Sequence, residues 1–460
     1  MAAAPDQEQL ASSASPRFRV LDDTTLVPPS PSPPETSLPL TFFDIIWLNS
    51  PPVERLFFYR LAPDADVATI ISNLKDSLRQ AVRAFYPLAG RLRLSPGTSD
   101  RYELYYRPGD GVAFTVAECN DDADIDGLAT DEPREVAKIA TLVPPLPDGG
   151  GLLALQATLL SARRSLAIGV TVHHAACDGS GSTHFLHTWA AACTGVEAPP
   201  PPPVIDRTLL TDPRGLYYIF FQGAPRTDEM EFVNMSADQL FATFTLCKED
   251  LRRVKDAVAD EATRRGVAPP RCSSLVAAFG FAWSCYQRAK ENCSAGESPM
   301  TCMIFPVDHR TRMKPPLPDK YLGNCVGPAF AMAPKGELAA AGAGGLFSAC
   351  SAVASAIDEA VRDIGTSNMD VWDDRVREAM AMGILTVAGS PRFRVYELDF
   401  GFGRPEKVDI VSVARTGAVA VAESRGSASG MEVGVSLQPA GMERYRKCFA
   451  DAIAWLHQRT

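Results

Sequence analysis

The stretch Thr171-Val172-His173-His174-Ala175-Ala176-Cys177-Asp178-Gly179 decides how the rest of the chain is read. It follows an apolar, β-branched run, Leu166 to Val172, and precedes Thr183 to Cys193, where Phe185, Leu186 and Trp189 have helical spacing. It therefore occupies a strand-to-helix turn. The chain has only six histidines, and two of them stand here side by side. A histidine with an aspartate four positions on, and a glycine directly after that, points to a base presented to a cavity from a sharp turn. His174 has this spacing; His173 lacks it and takes a supporting or packing role. Asp178 either orients the imidazole as in a triad or points away to pair with an arginine, and a carboxylate that begins a helix suits the second better. Cys177 reads as a spectator thiol, since nothing beside it except the two histidines would lower its pKa.

Around this turn the periodicities describe an α/β protein. Leu153 to Leu160 and Leu166 to Val172 form a hairpin; Arg101 to Tyr106 and Val112 to Val116 form another across Pro108-Gly109-Asp110-Gly111. Asp66 to Phe85 carries apolar residues at three- and four-residue spacing, which predicts a helix. Val53 to Leu61 predicts a strand, and Thr41 to Leu48 is apolar enough to be buried. Residues 1 to about 16 read as a loose tail and Pro28 to Pro39 as an extended arm, so ordered structure is expected from near Leu40. In the second half Lys248 to Arg265, Ser273 to Arg288, Leu346 to Asp363 and Met442 to His457 read as helices. Cys302 to Val307, Lys407 to Val413, Ala418 to Glu423 and Met431 to Leu437 read as strands.

A chain of 460 residues is too long for one core, which sets an expectation of two domains of roughly 200 residues each. Five consecutive prolines, Pro199 to Pro203, place the crossover at 195–223, between an N-terminal domain 1–194 and a C-terminal domain 224–460. The net charge of −10 argues against nucleic acid as a partner, because a phosphate-binding face would work against the field of the whole molecule. Eleven cysteines, with no CxxC pair and no Cys/His cluster at ligand spacing, read as free thiols in a reducing compartment and give no metal site. Without a signal peptide or a membrane-length apolar run the expectation is a cytoplasmic protein, and the sequons at Asn234 and Asn292 are chance matches.

Motifs for a nucleophile elbow, a phosphate loop, an HExxH zinc site and a dinucleotide fold are all missing. What remains is a general base without its own nucleophile, which suits direct transfer of an activated acyl group to a bound hydroxyl. The basic run Arg310, Arg312, Lys314 and Lys320 reads equally as a solvated loop and as an anion site. Asp399-Phe400-Gly401-Phe402-Gly403 reads as a structural turn with buried aromatics.

Taken together these segments resemble the plant BAHD acyl-CoA-dependent acyltransferases. His174 to Gly179 is similar to that family's HxxxDG motif, and Asp399 to Gly403 to its DFGWG motif with Phe402 for tryptophan. Tyr321-Leu322-Gly323-Asn324-Cys325 is similar to the YFGNC signature of the branch acting on anthocyanins and other phenolic glucosides, with Leu322 for phenylalanine. Gly389 to Glu397 also resembles that branch, in which many members use malonyl-CoA. The resemblance implies two similar chloramphenicol-acetyltransferase-like domains, each a mixed β-sheet with flanking helices, joined by a crossover loop. It makes His174 the general base and has Asp178 pair structurally with Arg310, supporting the turn with Gly179. It puts Lys255, Ser273 and Ser274 against CoA, and Asp399, Gly401 and Gly403 in a structural loop. Acyl-CoA would be a co-substrate, with no bound cofactor, no metal and no obligate protein partner, and the acceptor a phenolic glucoside. Competing readings are a hydroxycinnamoyl or acetyl donor, and a catalytically silent relative that binds small molecules.

Overall fold

The computed structural model describes residues 18–119, 125–160, 164–223, 238–290, 298–362, 369–426 and 429–459. The N-terminal tail, both sequons and Asp363 lie outside these residues. The strands in chain order are β1 (Phe18–Leu26), β2 (Thr36–Pro39), β3 (Val53–Arg60), β4 (Arg91–Leu94), β5 (Tyr102–Tyr106), β6 (Val112–Cys119), β7 (Arg134–Glu135) and β8 (Leu153–Leu160). They continue with β9 (Ser165–Val172), β10 (Leu240–Leu246), β11 (Met300–Asp308), β12 (Val326–Pro334), β13 (Ile384–Gly389), β14 (Lys407–Ile410), β15 (Val419–Glu423) and β16 (Met431–Leu437). Two mixed sheets dominate, one in the order β1-β6-β8-β9-β3-β14 and the other β12-β11-β13-β15-β16-β10-β7. A small third sheet is β2-β5-β4.

Local sequence accounts for most elements. The helix Val67–Ala84 starts where Asp66 accepts from the Ala68 N–H, and it buries Leu74, Leu78 and Val82. β8 and β9 are buried along their whole length, which explains why they read as unbroken apolar runs rather than alternating ones. Helices Val67–Ala84 and Gly179–Thr194 cover the first sheet and share its core with Trp189. Lys248–Arg265, Ser274–Ala289, Ala343–Arg362 and Pro439–Gln458 cover the second. A further apolar cluster containing Leu56, Phe58, Phe241, Val411 and Ala420 lies between the two sheets. No helix of the described residues is long and apolar enough to cross a membrane.

Two expectations are corrected. Regular structure is already present at Phe18–Leu26, ahead of Leu40, because β1 runs antiparallel to β6 along that side of the sheet. β5 and β6 do not form a hairpin: β5 pairs with β2 and β4, while β6 pairs with β1 and β8. The Pro108 to Gly111 turn connects two sheets, and nothing in a turn sequence distinguishes a hairpin from a corner.

The two halves also exchange strands across the 195–223 connection. β14, from the C-terminal half, pairs with β3 in the first sheet, and β7, from the N-terminal half, pairs with β10 in the second. Each exchanged strand carries one member of a buried ion pair: Arg134 on β7 meets Asp409 on β14 at 2.8 Å. Lys407, 3.9 Å from Asp409, compensates only in part. Arg134→Met is therefore expected to lower unfolding stability by about 3–5 kcal/mol by stranding a buried carboxylate, and Arg134→Met with Asp409→Leu to recover most of that loss. Urea denaturation of the two variants checks both values.

Candidate active site

β9 ends at Val172, and the chain turns through His173 and His174 into the helix Gly179–Thr194. The turn is held from inside: the His173 N–H donates to Leu152 O at 2.9 Å, and His173 Nδ1 accepts from the Ala175 N–H at 3.2 Å. With Nδ1 an acceptor and burial lowering its pKa to about 4, His173 is neutral and supports the turn. Asp178 caps the helix, accepting from Ser180 and Gly181 N–H at 3.1 and 3.0 Å. Its carboxylate meets Arg310 at 2.8 Å, with both side chains 2% exposed. Cys325 N–H also donates to it at 3.1 Å. The structure thus brings Asp178 and Arg310 together and leaves Arg312 and Lys314 exposed, dividing the basic run between one buried anchor and solvated neighbours.

Gly179 is needed for close approach. A Cβ there would lie 2.6 Å from Phe393 Cζ and 3.4 Å from Arg55 Nη2. The segment Tyr321 to Cys325 passes under the turn. Asn324 donates to the His174 carbonyl at 2.9 Å and, through its side chain and backbone, to Asp44 at 3.0 and 2.9 Å. Arg207, from the crossover, donates to Tyr321 Oη at 2.9 Å and Leu322 O at 2.7 Å.

No carboxylate orients the His174 imidazole; its Nδ1 is buried without a hydrogen-bond partner among the described residues. The ring is held instead by the Trp47 indole, stacked at 3.8 Å between centroids and 12° between planes. Removal from water holds the His174 pKa below the ordinary imidazole value, and the Asp178 charge opposes this without reversing it. Burial pushes the Cys177 thiol up to about 12, so it carries no thiolate at neutral pH.

The other sequence-derived residues fall into two groups. Lys255 Nζ donates to Ser274 Oγ at 2.9 Å, and Ser273 caps the helix Ser274–Ala289, accepting from Val276 N–H at 3.2 Å. An ammonium beside a helix N-terminus suits phosphate. Asp399 accepts from Gly401 and Gly403 N–H at 2.8 and 3.0 Å, and both glycines have positive φ. This places Phe400 4.5 Å from Trp189 and Phe402 5.1 Å from Tyr59, so the loop packs on the first domain's aromatic core. Among the described residues no group of three or more His, Cys, Asp or Glu side chains could hold a metal ion.

A model of the Transferase family matches residues 20–451. The chain belongs to this family, the BAHD acyltransferases. Phenolic glucoside malonyltransferase 1 of Arabidopsis thaliana is 32% identical, over 93% of this chain and 96% of the relative. Malonyl-coenzyme A:anthocyanin 3-O-glucoside-6''-O-malonyltransferase of Dahlia pinnata is 31% identical, over 95% and 98%. In fold, the crystal structure of vinorine synthase matches with a TM-score of 0.70 at 19% identity, covering 93% of this chain and 96% of the other. The two mixed sheets with flanking helices are therefore the paired-domain architecture expected from the resemblance, and the protein is an acyl-CoA-dependent acyltransferase.

Sequence reasoning missed Trp47, Asp44 and Arg55 as site residues. Asp44 had a signal, as a lone charge in the apolar run Phe42 to Leu48, where a buried charge demands a partner; Arg55, next to Glu54 at the head of the apolar run Leu56 to Tyr59, had a weaker one. Trp47 had none, since stacking on a distant histidine leaves no local pattern. With His174 as the proposed base, which must be neutral to accept a proton, its lowered pKa predicts an acid limb of kcat/KM that lies below the pH of about 6.5 expected for an ordinary imidazole. A pH–rate profile of the protein with saturating acceptor checks this limb.

Proposed function

We propose that this chain transfers an acyl group, malonyl in the first instance, from its CoA thioester to a sugar hydroxyl of a flavonoid, anthocyanin or other phenolic glucoside. The observation that carries the mechanism is a base without a nucleophile. His174 is neutral and stacked in place, Asp178 is fully engaged by Arg310 and the helix N-terminus, and Cys177 is protonated. The acceptor then supplies the nucleophile. His174 takes the hydroxyl proton as the oxygen attacks the thioester carbonyl, and the tetrahedral intermediate collapses by breaking the C–S bond. CoA thiolate leaves and is protonated by the imidazolium, which restores neutral His174. Malonyl and the glucoside acceptor are supported by the activities for which the relatives above are named.

In this reading Lys255 meets a CoA phosphate, with Ser273 and Ser274 at the adjoining helix terminus. Asp178, Gly179 and Arg310 hold the catalytic turn, and Asp399, Gly401 and Gly403 hold a loop with no part in the chemistry. The enzyme works as a cytoplasmic monomer, which its ten described cysteines, all free thiols, suit. His174→Ala is expected to lower kcat by about 10²–10⁴-fold, and Cys177→Ala to leave turnover within a few-fold. A panel of malonyl-, acetyl- and hydroxycinnamoyl-CoA against phenolic glucosides measures both. Loss of turnover with the cysteine change but not the histidine change would exclude direct transfer.

A further inference from the structure

Four arginines are buried among the described residues: Arg55, Arg134, Arg207 and Arg310. Three face a carboxylate, Asp409 at 2.8 Å from Arg134, Asp44 at 3.7 Å from Arg207 and Asp178 at 2.8 Å from Arg310. Arg55, 4% exposed, has no ion-pair partner among the described residues; the Asp178 carboxylate, whose charge reaches it, is already paired with Arg310. Arg55 Nη1 donates to Thr183 Oγ1 at 2.7 Å, and its guanidinium carbon lies 5.5 Å from the centre of the Phe393 ring. Arg55 lines a small, partly open cleft walled also by Ser390, Phe393 and Thr243.

A buried guanidinium without a counter-ion is costly, and a fold keeps one where the missing anion arrives with a ligand. Two carboxylates line the same cleft, and neither serves Arg55. Asp409 is held by Arg134, and Glu432 accepts from Tyr396 Oη at 2.6 Å and Arg425 N–H at 3.1 Å. The cation also adjoins the catalytic turn, since Arg55 Nη2 lies 3.4 Å from where a Gly179 Cβ would stand. We infer that Arg55 is the receptor for the free carboxylate of a carboxylated acyl-CoA donor, and so selects that donor over uncharged thioesters. The planar fork suits a carboxylate held by two parallel hydrogen bonds. In malonyl-CoA one methylene separates the carboxylate from the thioester carbonyl, so its receptor must stand close to the turn that carries the base, as Arg55 does beside Gly179. A second effect follows. The Arg55 charge disfavours protonation of His174, and a donor carboxylate bound to Arg55 would cancel that field and leave the imidazole more basic.

This inference rests on the malonyl reading, and the experiment separates the two. Wild type, Arg55→Gln and Arg55→Lys are compared with malonyl-CoA and acetyl-CoA on one glucoside acceptor. The ratio of kcat/KM for malonyl-CoA to that for acetyl-CoA is expected to fall about 10- to 100-fold in Arg55→Gln, mainly through KM for malonyl-CoA, and less in Arg55→Lys. In the wild type the acid limb of the kcat profile is expected at higher pH with malonyl-CoA than with acetyl-CoA, a measurement that needs no variant to fold. An unchanged ratio in a folded variant, or coincident limbs in the wild type, would overturn the role of Arg55 while leaving malonyl as the donor. A wild type that turns over acetyl- or hydroxycinnamoyl-CoA but no carboxylated donor would overturn the donor reading, and this inference with it.

Discussion

A carboxylate sealed from water must be met by donors on every side, and the structure around the His174 turn follows from how Asp178 meets that demand. It accepts from Ser180 and Gly181 at the start of its own helix, from the Cys325 backbone, and from Arg310 across the domain boundary. One side chain thereby caps a helix, fixes the position of the segment below the turn and ties the second domain to the first. Asp44 repeats the arrangement a few residues away, holding Asn324, which in turn holds the His174 carbonyl. Two buried acids on the first domain therefore position the backbone of His174 through the same five-residue segment of the second.

That arrangement leaves the imidazole free of the carboxylate it follows in sequence. A triad would spend Asp178 on the ring; here the ring rests on an indole and Asp178 serves the scaffold. Stacking restrains orientation without supplying a negative charge, so the histidine stays neutral in a desolvated site and its basicity responds to the charges that remain nearby, Asp178 raising it and Arg55 lowering it.

What the sequence made legible was local. The helix Val67–Ala84 with its Asp66 cap, the β8–β9 hairpin and the strand-to-helix turn at His174 each follow from periodicity and capping within a few residues. The family motifs marked the turn and the Asp399 loop as well. Long-range pairing was not legible. A turn at Pro108 to Gly111 looks the same whether its flanking strands pair with each other or with strangers, and two of the shortest strands, β7 and β14, give no sign that they sit in the other half's sheet. Buried charges were visible as interruptions in apolar runs, yet an interruption names no partner. Arg134 and Arg55 each stand beside a glutamate in sequence, and only the fold shows that one is paired in the core with Asp409 while the other has no ion-pair partner among the described residues.

The exchange of β7 and β14 also bears on how the protein comes to be folded. β3 lies near the start of the chain, and its outer edge stays open until β14, close to the end, arrives to cover it. The first sheet cannot be completed while the C-terminal part is still being synthesised, and an apolar strand edge waits exposed for most of that time. Contacts of such long sequence separation slow folding, because the chain must close a very large loop before any of them form. The segment that seats His174 arrives late too, so a nascent N-terminal half would carry this histidine without the Asn324 and Arg310 that fix its turn. The site exists only once nearly the whole chain has been made.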